Sequence, residues 1–245
     1  MSKRFRMFAG PNGSRKSTLI KTIRNDFSIG YFVNADEIEN FLNQHKYLLL
    51  ENYLKKKITQ QDWENFTADY QDDVRFKNRA FPKFSISDNI LTLKDPKNTI
   101  DSYVASVIAE FLRLQLLLET SNFSFETVMS HLSKVDFLQQ AKKAGFKTYL
   151  YFICTQDPEI NIARVHNRVY KGGHDVENEK IKERYYRSLE LLPKAFLLAG
   201  RVFVIDNSNV NRTVILEKNG KDVLLHTSKV PEWVNEFLLK KIETQ

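Results

Sequence analysis

The stretch from Phe8 to Ile20, "FAGPNGSRKSTLI", differs at one position from the phosphate-binding pattern G-x-x-x-x-G-K-[ST]. Gly10, Lys16 and Ser17 have the required spacing, but Arg15 stands where the pattern has its second glycine. If that position needs a positive φ angle, a residue other than glycine costs about 1–2 kcal/mol there. The loop therefore predicts nucleotide binding, and Arg15 is the feature that argues against full turnover.

The residues on either side of this loop have the patterns of a strand and a helix. "RFRMFAG" (Arg4–Gly10) predicts a short buried strand, and Leu19 and Ile23 recur at helical spacing after the loop. Backbone N–H groups at the start of such a helix form a cradle for anions. We therefore predict that Lys16 reaches the outer phosphates of a nucleotide and that the Ser17 hydroxyl holds Mg²⁺. The predicted nucleotide contacts are Gly10, Pro11, Asn12, Gly13, Ser14, Arg15, Lys16, Ser17 and Thr18.

The composition is ordinary for a folded globular protein of 245 residues, of which 42% are apolar. No run reaches the roughly eighteen apolar residues of a membrane span, and the start of the chain lacks the pattern of a secretory signal. One cysteine, Cys154, excludes an internal disulfide framework. We therefore expect a cytoplasmic protein with no membrane partner. The net charge of +7 is spread along the chain, which favours anionic small molecules over nucleic acid as partners.

Strands alternate with helices along most of the chain. Tyr31–Asn34 predicts a second strand that runs into a helix with acidic residues in its first turn, and a long amphipathic helix follows with Thr99 or Asp101 as its N-cap. Three further strands are predicted, at Phe123–Val128, at Lys147–Cys154 and in "VFVIDNS" (Val202–Ser208). This alternation predicts an α/β fold, with a three-layer P-loop NTPase or kinase core around a parallel sheet.

Two segments depart from that alternation. The charged and aromatic segment 46–98 contains no glycine, and we predict that it is a mostly helical insertion. The tail, 210–245, has two β-rich runs on either side of Asn219-Gly220, which predict a small hairpin, and a helix after it. The whole chain, 1–245, is predicted to be a single domain that carries this insertion.

Carboxylates stand at the ends of predicted strands, where ligands of open parallel sheets bind. Asp36 can accept the proton of a substrate hydroxyl that attacks a γ-phosphate, and capping of the next helix is its alternative role. Glu126 and Thr127 are predicted to contact the substrate, and Glu126 could instead orient the water shell of Mg²⁺. The alternative is that they only close a strand. For Asp206 we favour a structural or base-pocket role.

The stretch "NIARVHNRVYKGGHDVENEKIKERYYRSLELL" places arginines on two helices joined by a Gly-Gly turn. Arg164 and Arg168 are four residues apart and share one helix face, while Arg184 and Arg187 lie on the second helix. Such a pair suits a lid whose arginines stabilise charge on a transferring phosphoryl group. A charged helix pair with solvated faces is the alternative. His174 is predicted to be a hinge or cap residue.

Together these segments resemble the zeta toxin family of P-loop kinases, and within it the branch described as predicted ABC-type ATPases. The resemblance rests on "GPNGSRKST", "VNADEIE", "FSFETVMSHLSK", "RVHNRVYKGGHDVENEKIKERYYRSLELL" and "VFVIDNS". It covers about Phe5 to Asn209, apart from much of the insertion. No LSGGQ-type signature is present, so the ABC label is not literal.

The resemblance implies a small-molecule kinase that uses ATP or GTP with Mg²⁺ and that, in zeta toxins proper, phosphorylates UDP-N-acetylglucosamine. It implies that Asp36 is the proton acceptor, that Lys16 and Ser17 bind the nucleotide, and that Arg164 and Arg168 act from a lid. It also implies an antitoxin protein as a partner. The chain departs from the family at Arg15, and its insertion and tail hairpin do not map onto the family pattern.

We therefore expect Mg²⁺-dependent transfer of a γ-phosphate from ATP or GTP to a hydroxyl of a small acceptor, with a nucleotide sugar as the leading candidate. Arg15 is expected to lower the turnover. Three alternatives stay open: an NTPase that uses water, a degenerate nucleotide-binding module without phosphotransfer, and a nucleic-acid kinase, which the positive charge would suit.

Overall fold

The computed structural model describes residues 3–68, 70, 81–173 and 175–243. The chain divides into two compact units, one formed by Met1–Ile29 with Ser124–Gln245 and the other by Gly30–Phe123. The predicted phosphate loop belongs to the first unit and the predicted insertion to the second. Part of that insertion, and the hinge predicted at His174, lie outside the described residues.

Strands and helices alternate along much of the described chain. The strands are β1 (Arg4–Ala9), β2 (Tyr31–Val33), β3 (Tyr47–Leu49), β4 (Phe84–Ser87), β5 (Ile90–Leu93), β6 (Phe123–Thr127), β7 (Lys147–Cys154), β8 (Arg201–Asp206), β9 (Thr213–Asn219) and β10 (Asp222–Leu225). The helices are α1 (Lys16–Asp26), α2 (Ala35–His45), α3 (Gln60–Ala68), α4 (Ser102–Leu118), α5 (Leu132–Lys143), α6 (Pro158–Tyr170) and α7 (Asn178–Leu198), and at the C-terminus α8 (Glu232–Val234) and α9 (Lys240–Glu243) on either side of a π-helical turn (Asn235–Leu239).

Parallel strands form the centre of the sheet in the first unit. The strands of this unit lie in the order β10-β9-β8-β7-β1-β6. β1 pairs in parallel with β7, and β7 pairs in parallel with β8. Because the carboxyl ends of parallel strands meet at one end of a sheet, the segments that follow these three strands converge there. That end is where the predicted phosphate loop leaves β1.

The two faces of this sheet are packed with large apolar side chains. On one face Phe5 contacts Phe125 and Phe137, with ring centroids 5.2 and 5.5 Å apart. On the other face Tyr151 stacks on Phe203 with centroids 4.9 Å apart, and apolar residues of α1 pack against this pair. Since α1 is fixed to the sheet and β1 lies inside it, the loop between them is held at both ends.

The second unit contains β2, α2 and α4, with the insertion between the two helices. Asp101 is the N-cap of α4, because its carboxylate accepts the N–H groups of Tyr103 and Val104. The insertion contains the helix α3, but its strands β3, β5 and β4 form an antiparallel sheet. The prediction of a mostly helical insertion is therefore wrong for the described residues.

A tight turn explains the strands of the insertion. Asp88 and Asn89 join β4 to β5 and have φ angles of 50° and 63°. Aspartate and asparagine tolerate this left-handed conformation better than most residues, and two-residue hairpin loops require it. The sequence "FSISDNILTL" is therefore a hairpin in which an Asp-Asn turn separates two short β-rich runs.

The tail forms the hairpin that the sequence predicts. β9 and β10 pair antiparallel, and Gly220 in the turn has a φ of 63°. β9 also pairs antiparallel with β8, so the hairpin extends the central sheet. The predicted α/β fold class, with a mostly parallel sheet and a C-terminal hairpin, is confirmed.

Lys218 on β9 fastens this hairpin to the end of α7. Its buried Nζ donates to the carbonyl oxygens of Phe196, Leu197 and Ala199, the last two at 3.1 and 3.0 Å. The last carbonyls of a helix lack partners within the helix, so the ammonium group satisfies them. Burial lowers the pKa of Lys218, and the charge of Lys142 lowers it further.

Replacing this ammonium group should destabilise the first unit. Lys218→Met keeps a long side chain but leaves buried carbonyls without donors, so we expect the free energy of unfolding to fall by about 1–3 kcal/mol. Denaturant unfolding measures the change. Lys221→Met, in the exposed turn, is the control and should change stability by less than about 0.5 kcal/mol. Equal stability of both variants would contradict this role of Lys218.

Candidate nucleotide-binding site

The loop after β1 packs its backbone tightly against two neighbouring segments. Gly10 has a φ of 141°, and a Cβ there would collide with the carbonyl oxygen of Ile153 on β7. Gly13 has a φ of 75°, and a Cβ there would collide with the backbone of Asn161 on α6. Both positions need glycine for two reasons, the backbone angle and the close approach.

Arg15 precedes α1 and has a left-handed backbone, with φ 64° and ψ 36°. The positive φ that the motif implies is therefore present, and Arg15 bears the cost of about 1–2 kcal/mol that glycine would avoid. The backbone N–H groups of Thr18 and Leu19 donate to the Arg15 carbonyl oxygen at 3.2 and 3.3 Å. The helix thus begins at this residue despite the strain, and the side chain of Arg15 is exposed.

Several polar groups of the loop have no partner among the residues that the structure describes. In the described part of the chain, the backbone amides of Gly13, Arg15 and Ser17 donate no hydrogen bond. The Oδ1 atom of Asn12 and the Oγ atom of Ser14 are buried and also lack a partner among the described residues. Unpaired N–H groups at a helix N-terminus, next to a buried hydroxyl, are what an anion would satisfy.

Lys16 and Ser17 meet Glu126, which lies on β6. The Ser17 hydroxyl donates to the Glu126 carboxylate, at 3.1 Å to Oε2 and 3.2 Å to Oε1. The Nζ atom of Lys16 is 3.8 Å from Oε1 of Glu126 and donates to the Pro11 carbonyl oxygen at 3.0 Å. Lys16 is buried, with 6% of its surface exposed. The structure therefore brings together the predicted phosphate ligand, the predicted magnesium ligand and one predicted substrate ligand.

Two asparagine side chains, which the sequence analysis missed, donate hydrogen bonds to the backbone of the loop. The Nδ2 group of Asn161 donates to the Asn12 carbonyl oxygen, and its Oδ1 accepts the Thr155 hydroxyl. The Nδ2 group of Asn207 donates to the Ser14 carbonyl oxygen at 2.8 Å. Asn161 and Asn207 have 0% and 6% of their surface exposed, so these bonds are shielded from water. Asn207 directly follows the apolar strand β8, and that position was the available signal.

Arg164 projects from α6 beside this loop. Its Nη2 group donates to the Ser208 carbonyl oxygen at 3.2 Å, while Nη1 is buried without a partner among the described residues. Burial lowers the pKa of Arg164, the nearby charge of Arg15 lowers it further, and the Asp206 carboxylate acts in the opposite direction. Two guanidinium groups thus lie close enough to repel each other, and an anion between them would remove that repulsion.

The Asp206 carboxylate accepts hydrogen bonds that stabilise the fold. Its Oδ2 accepts the Trp233 indole N–H at 2.8 Å and the Ser208 hydroxyl at 2.9 Å, and its Oδ1 accepts the Ser208 N–H at 3.0 Å. These bonds join the end of β8 to α8 and shape the segment that carries Asn207. The structural role favoured for Asp206 agrees with these contacts.

The remaining predicted residues are placed as follows. Arg168 lies one helical turn after Arg164, in the last turn of α6, and is exposed. The Thr127 hydroxyl oxygen accepts the Met129 N–H at 3.0 Å, so it shapes the turn after β6. Asp36 lies in the first turn of α2 in the second unit.

Asp36 does not cap its helix. The N-cap of α2 is Asn34, whose Oδ1 accepts the Asp36 N–H at 3.0 Å. Capping, the alternative role for Asp36, is therefore wrong. Asp36 is exposed, and its carboxylate accepts no hydrogen bond in the described part of the chain. That leaves its carboxylate available for chemistry.

The residues of the loop fit a phosphate chain with a divalent cation. The unpaired amides, the Ser14 hydroxyl and the cations of Lys16, Arg15 and Arg164 suit phosphate oxygens. The Ser17 hydroxyl and the Glu126 carboxylate supply oxygen ligands of the kind that Mg²⁺ prefers. In the described residues no cluster of three or more acidic, histidine or cysteine side chains could hold a metal without such phosphates.

Solved structures share this fold at low sequence identity. A chain of the AvrRxo1-ORF1:-ORF2 complex aligns over 93% of this chain and 62% of its own length, with a TM-score of 0.59 and 11% identity. The same complex with ATP aligns over 92% and 61%, with a TM-score of 0.53 and 11% identity. A chain of the PezAT chromosomal toxin-antitoxin system of Streptococcus pneumoniae aligns over 99% and 84%, with a TM-score of 0.53 and 14% identity. At these identities the likeness shows the fold alone.

Sequence comparison gives a shorter match. No protein-family model matches the chain. An uncharacterized protein of Haemophilus influenzae is 36% identical over 63 residues, which are 26% of this chain and 45% of that protein. The chain therefore spans less than half of that relative and less than two thirds of the AvrRxo1 chain. The branch of predicted ABC-type ATPases stays a prediction.

Of the helices that the structure describes, none combines the length and the apolar character that a membrane crossing needs.

Removing the ammonium group of Lys16 should weaken triphosphate binding selectively. A charge-assisted bond to an outer phosphate is worth about 1.5–3 kcal/mol, so Lys16→Ala should raise the Kd of ATP at least about tenfold and that of AMP much less. Titration calorimetry with both nucleotides measures this difference. Lys21→Ala, on the exposed side of α1, is the control and should change neither Kd. Equal losses for ATP and AMP in Lys16→Ala would remove the phosphate-loop assignment.

Proposed function

We propose that this protein is a nucleoside-triphosphate-dependent kinase that transfers a γ-phosphate to a hydroxyl of a small acceptor. The observation that carries the proposal is the junction of Lys16, Ser17 and Glu126 at the start of α1. In the adjoining loop, the N–H groups of Gly13 and Arg15 have no acceptor among the described residues. The resemblance of the sequence to P-loop kinases, and a fold shared with a complex that was solved with ATP, support the same class of reaction. A nucleotide sugar is the leading candidate for the acceptor, on the resemblance to zeta toxins.

The residues of the loop would bind and orient the phosphate chain. Lys16 would leave the Pro11 carbonyl and donate to the outer phosphates, and the loop amides would donate to the inner ones. Mg²⁺ bound at Ser17 would neutralise charge on the phosphates. In phosphoryl transfer the protein supplies mainly position and electrostatic stabilisation, so these fixed donors account for most of the proposed activity.

Glu126 would change its partners when the nucleotide binds. It accepts the Ser17 hydroxyl and lies beside Lys16, so it holds both groups in position. When Lys16 turns to phosphate oxygens, Glu126 would be released to orient the water shell of a cation or to accept a hydroxyl of the substrate. The Glu126 carboxylate would thus position Lys16 in the nucleotide-free state and contact the ligand in the nucleotide-bound state.

Asp36, Arg164 and Arg168 would complete the reaction. The Asp36 carboxylate, which capping does not use, would take the proton of the attacking hydroxyl. The Nη1 group of Arg164, which has no partner among the described residues, would donate to a phosphate oxygen. Arg168 would act from the next turn of the same helix. The bond from Arg164 to Ser208 means that the first half of α6 is already fixed near the loop, so lid movement would involve the end of α6 and the Gly-Gly turn.

A nucleotide-binding module with little turnover is the second candidate, and the strained backbone of Arg15 favours it. An arginine next to the phosphates attracts them equally in the ground state and in the transition state. Uniform attraction of that kind improves binding without raising the rate of the chemical step. A neutralising protein partner is proposed only by analogy, because the AvrRxo1 and PezAT chains were solved as parts of a complex and of a toxin-antitoxin system.

A search for labelled product tests the proposed kinase. The protein would be incubated with Mg²⁺, γ-labelled ATP or GTP and a panel of nucleotide sugars, and we expect label on one acceptor. Asp36→Asn should lower the rate of transfer about 10²–10⁴-fold with little change in nucleotide affinity, because it removes only the proton acceptor. Glu37→Gln, the adjacent exposed carboxylate, is the matched control and should keep the rate. An Asp36→Asn protein with full activity would exclude Asp36 as the acceptor, and label released only as phosphate would indicate an NTPase.

Glycine at position 15 should restore turnover. Arg15→Gly removes a Cβ from the left-handed position and a long side chain from beside Lys16, and a misplacement of about 1 Å at such a site can cost a hundredfold in rate. We expect the rate of transfer or hydrolysis to rise at least about tenfold, or about 1.4 kcal/mol of barrier, with a smaller change in nucleotide affinity.

Two controls separate the causes of this effect. Lys46→Gly relieves the same left-handed strain at the end of α2, where φ is 66°, and should leave the rate unchanged. Arg15→Lys keeps both the charge and the Cβ and should stay slow. If Arg15→Gly turns over no faster than the parent, Arg15 is a working part of the site.

A further inference from the structure

Strand β10 is an edge strand of the central sheet in the part of the chain that the structure describes. It is the terminal strand in the sheet order, and among the described residues it pairs only with β9. Its three apolar residues, Val223, Leu224 and Leu225, have exposed fractions of 48%, 59% and 47%. Natural sheets usually protect such an edge with lysine, proline or a bulge within the strand, and β10 has no lysine or proline between Asp222 and Leu225. The edge is therefore open to another strand.

The pairing with β9 determines which backbone groups face the free side. The His226 N–H donates to the Ile215 carbonyl oxygen at 2.9 Å, just past the end of the ladder in which Leu224 lies opposite Glu217. Backbone groups of a strand point alternately to its two sides. His226 and Leu224 therefore direct their N–H and C=O groups toward β9, whereas Val223 and Leu225 direct theirs outward.

We propose that this protein forms a symmetric homodimer in which β10 pairs antiparallel with β10 of a second copy. Val223 lies opposite Leu225 of the second copy, so the outward N–H and C=O groups of both residues exchange hydrogen bonds twice across the axis. Leu224 meets its own counterpart at the two-fold axis. Asp222 lies opposite His226 of the second copy, which places an acid against a base at both ends of the pairing.

This register is the one that the sequence of β10 favours. A shift of one residue would place outward backbone groups opposite groups that already bond β9, and would leave them without partners. A shift of two residues would pair Val223 or Leu225 with itself, so that one of the two outward residues loses its partner. Neither shift places Asp222 opposite His226. Symmetric pairing is self-complementary, so a second copy satisfies the outward hydrogen bonds of this edge. Its Asp222 would add a second carboxylate beside His226, whose Nε2 atom lies 3.6 Å from Oε2 of Glu217 in its own chain.

The apolar surface continues past the strand. Leu197, at the end of α7, has an exposed fraction of 44%, and its carbonyl oxygen accepts a hydrogen bond from Nζ of Lys218. Lys218 lies opposite Val223 in the hairpin, so Leu197 lies on the same side of the sheet as Val223. The dimer would cover Leu197 and Val223 on one side and Leu224 on the other. This inference does not depend on the proposed kinase activity.

Disulfide cross-linking tests the register directly. Leu224→Cys places one thiol in each copy of the dimer. The two Cα atoms at this position are about 4.5 Å apart, within the disulfide range of about 4.4–6.8 Å. This variant should give a covalent dimer on mild oxidation. Val223→Cys or Leu225→Cys alone should not, because like positions lie diagonally at about 7–8 Å, but a mixture of the two should cross-link. The native Cys154 is fully buried and does not interfere.

Sedimentation of the full chain from about 1 µM to about 1 mM tests the association itself. We expect a monomer-dimer equilibrium. Leu224→Lys, which sets two like charges opposite each other, should raise the dimer Kd at least about tenfold. Val223→Pro, which removes an outward N–H and no bond to β9, should do the same. Val210→Lys, an equally drastic change at a residue that is 90% exposed, should leave the Kd unchanged.

Three results would overturn the proposal. One is a protein that stays monomeric at every concentration. The same result would be seen if the edge binds a different protein, and it would overturn the homodimer in that case too. Another is a dimer that persists unchanged in Leu224→Lys and Val223→Pro while both variants stay folded by circular dichroism. The last is cross-linking by Val223→Cys alone that is as efficient as by Leu224→Cys, which would exclude this register.

Discussion

The site depends on two side-chain amides that hold the backbone of the phosphate loop. Asn161 donates to the Asn12 carbonyl, and Asn207 donates to the Ser14 carbonyl. These bonds occupy two carbonyl oxygens of the loop, while the N–H groups of Gly13, Arg15 and Ser17 donate no hydrogen bond among the described residues. A buried hydrogen bond is costly to break without replacement, so this arrangement fixes the loop before any ligand arrives. Fixed donors need no reorganisation when charge develops, which is the property that catalysis of phosphoryl transfer requires.

The same bonds connect the loop to distant parts of the first unit. Asn161 also accepts the Thr155 hydroxyl, and the Thr155 carbonyl accepts the Tyr185 hydroxyl at 2.6 Å. Burial raises the pKa of Tyr185, which keeps this phenol protonated as a donor. On the other side, Asp206 and Trp233 fix the segment that carries Asn207. The C-terminal helix and α7 are thus structural supports of the loop, although neither supplies a group to it.

Much of the fold could be predicted from the sequence, because local patterns and long-range packing agree there. The strand, glycine turn and helix around Gly10, the cap at Asp101 and the hairpin turn at Gly220 are each specified by a few adjacent residues. In the described part of the insertion, the prediction failed because charged helix-forming residues outweighed the hairpin signal of Asp88 and Asn89. The left-handed backbones of these two residues allow β4 and β5 to pair. Asn161 could not be found in the same way, since its partner is 149 positions away and nothing local marks an amide that bonds a distant carbonyl.

The charges of the site point to an anion more strongly than the motif alone does. Arg15 and Arg164 repel each other, the Nη1 group of Arg164 is buried without a partner among the described residues, and Glu126 is the carboxylate shared by Lys16 and Ser17. The repulsion between the two guanidinium groups, the buried Nη1 group of Arg164 and the left-handed backbone of Arg15 each reduce the free energy of unfolding. A polyanion that fills the loop would recover part of that cost, so its binding would stabilise the folded state by mass action. On this argument Arg15 is harmful to the geometry of transfer and useful to the affinity for phosphate, and the two effects arise from different atoms, the Cβ and the guanidinium group.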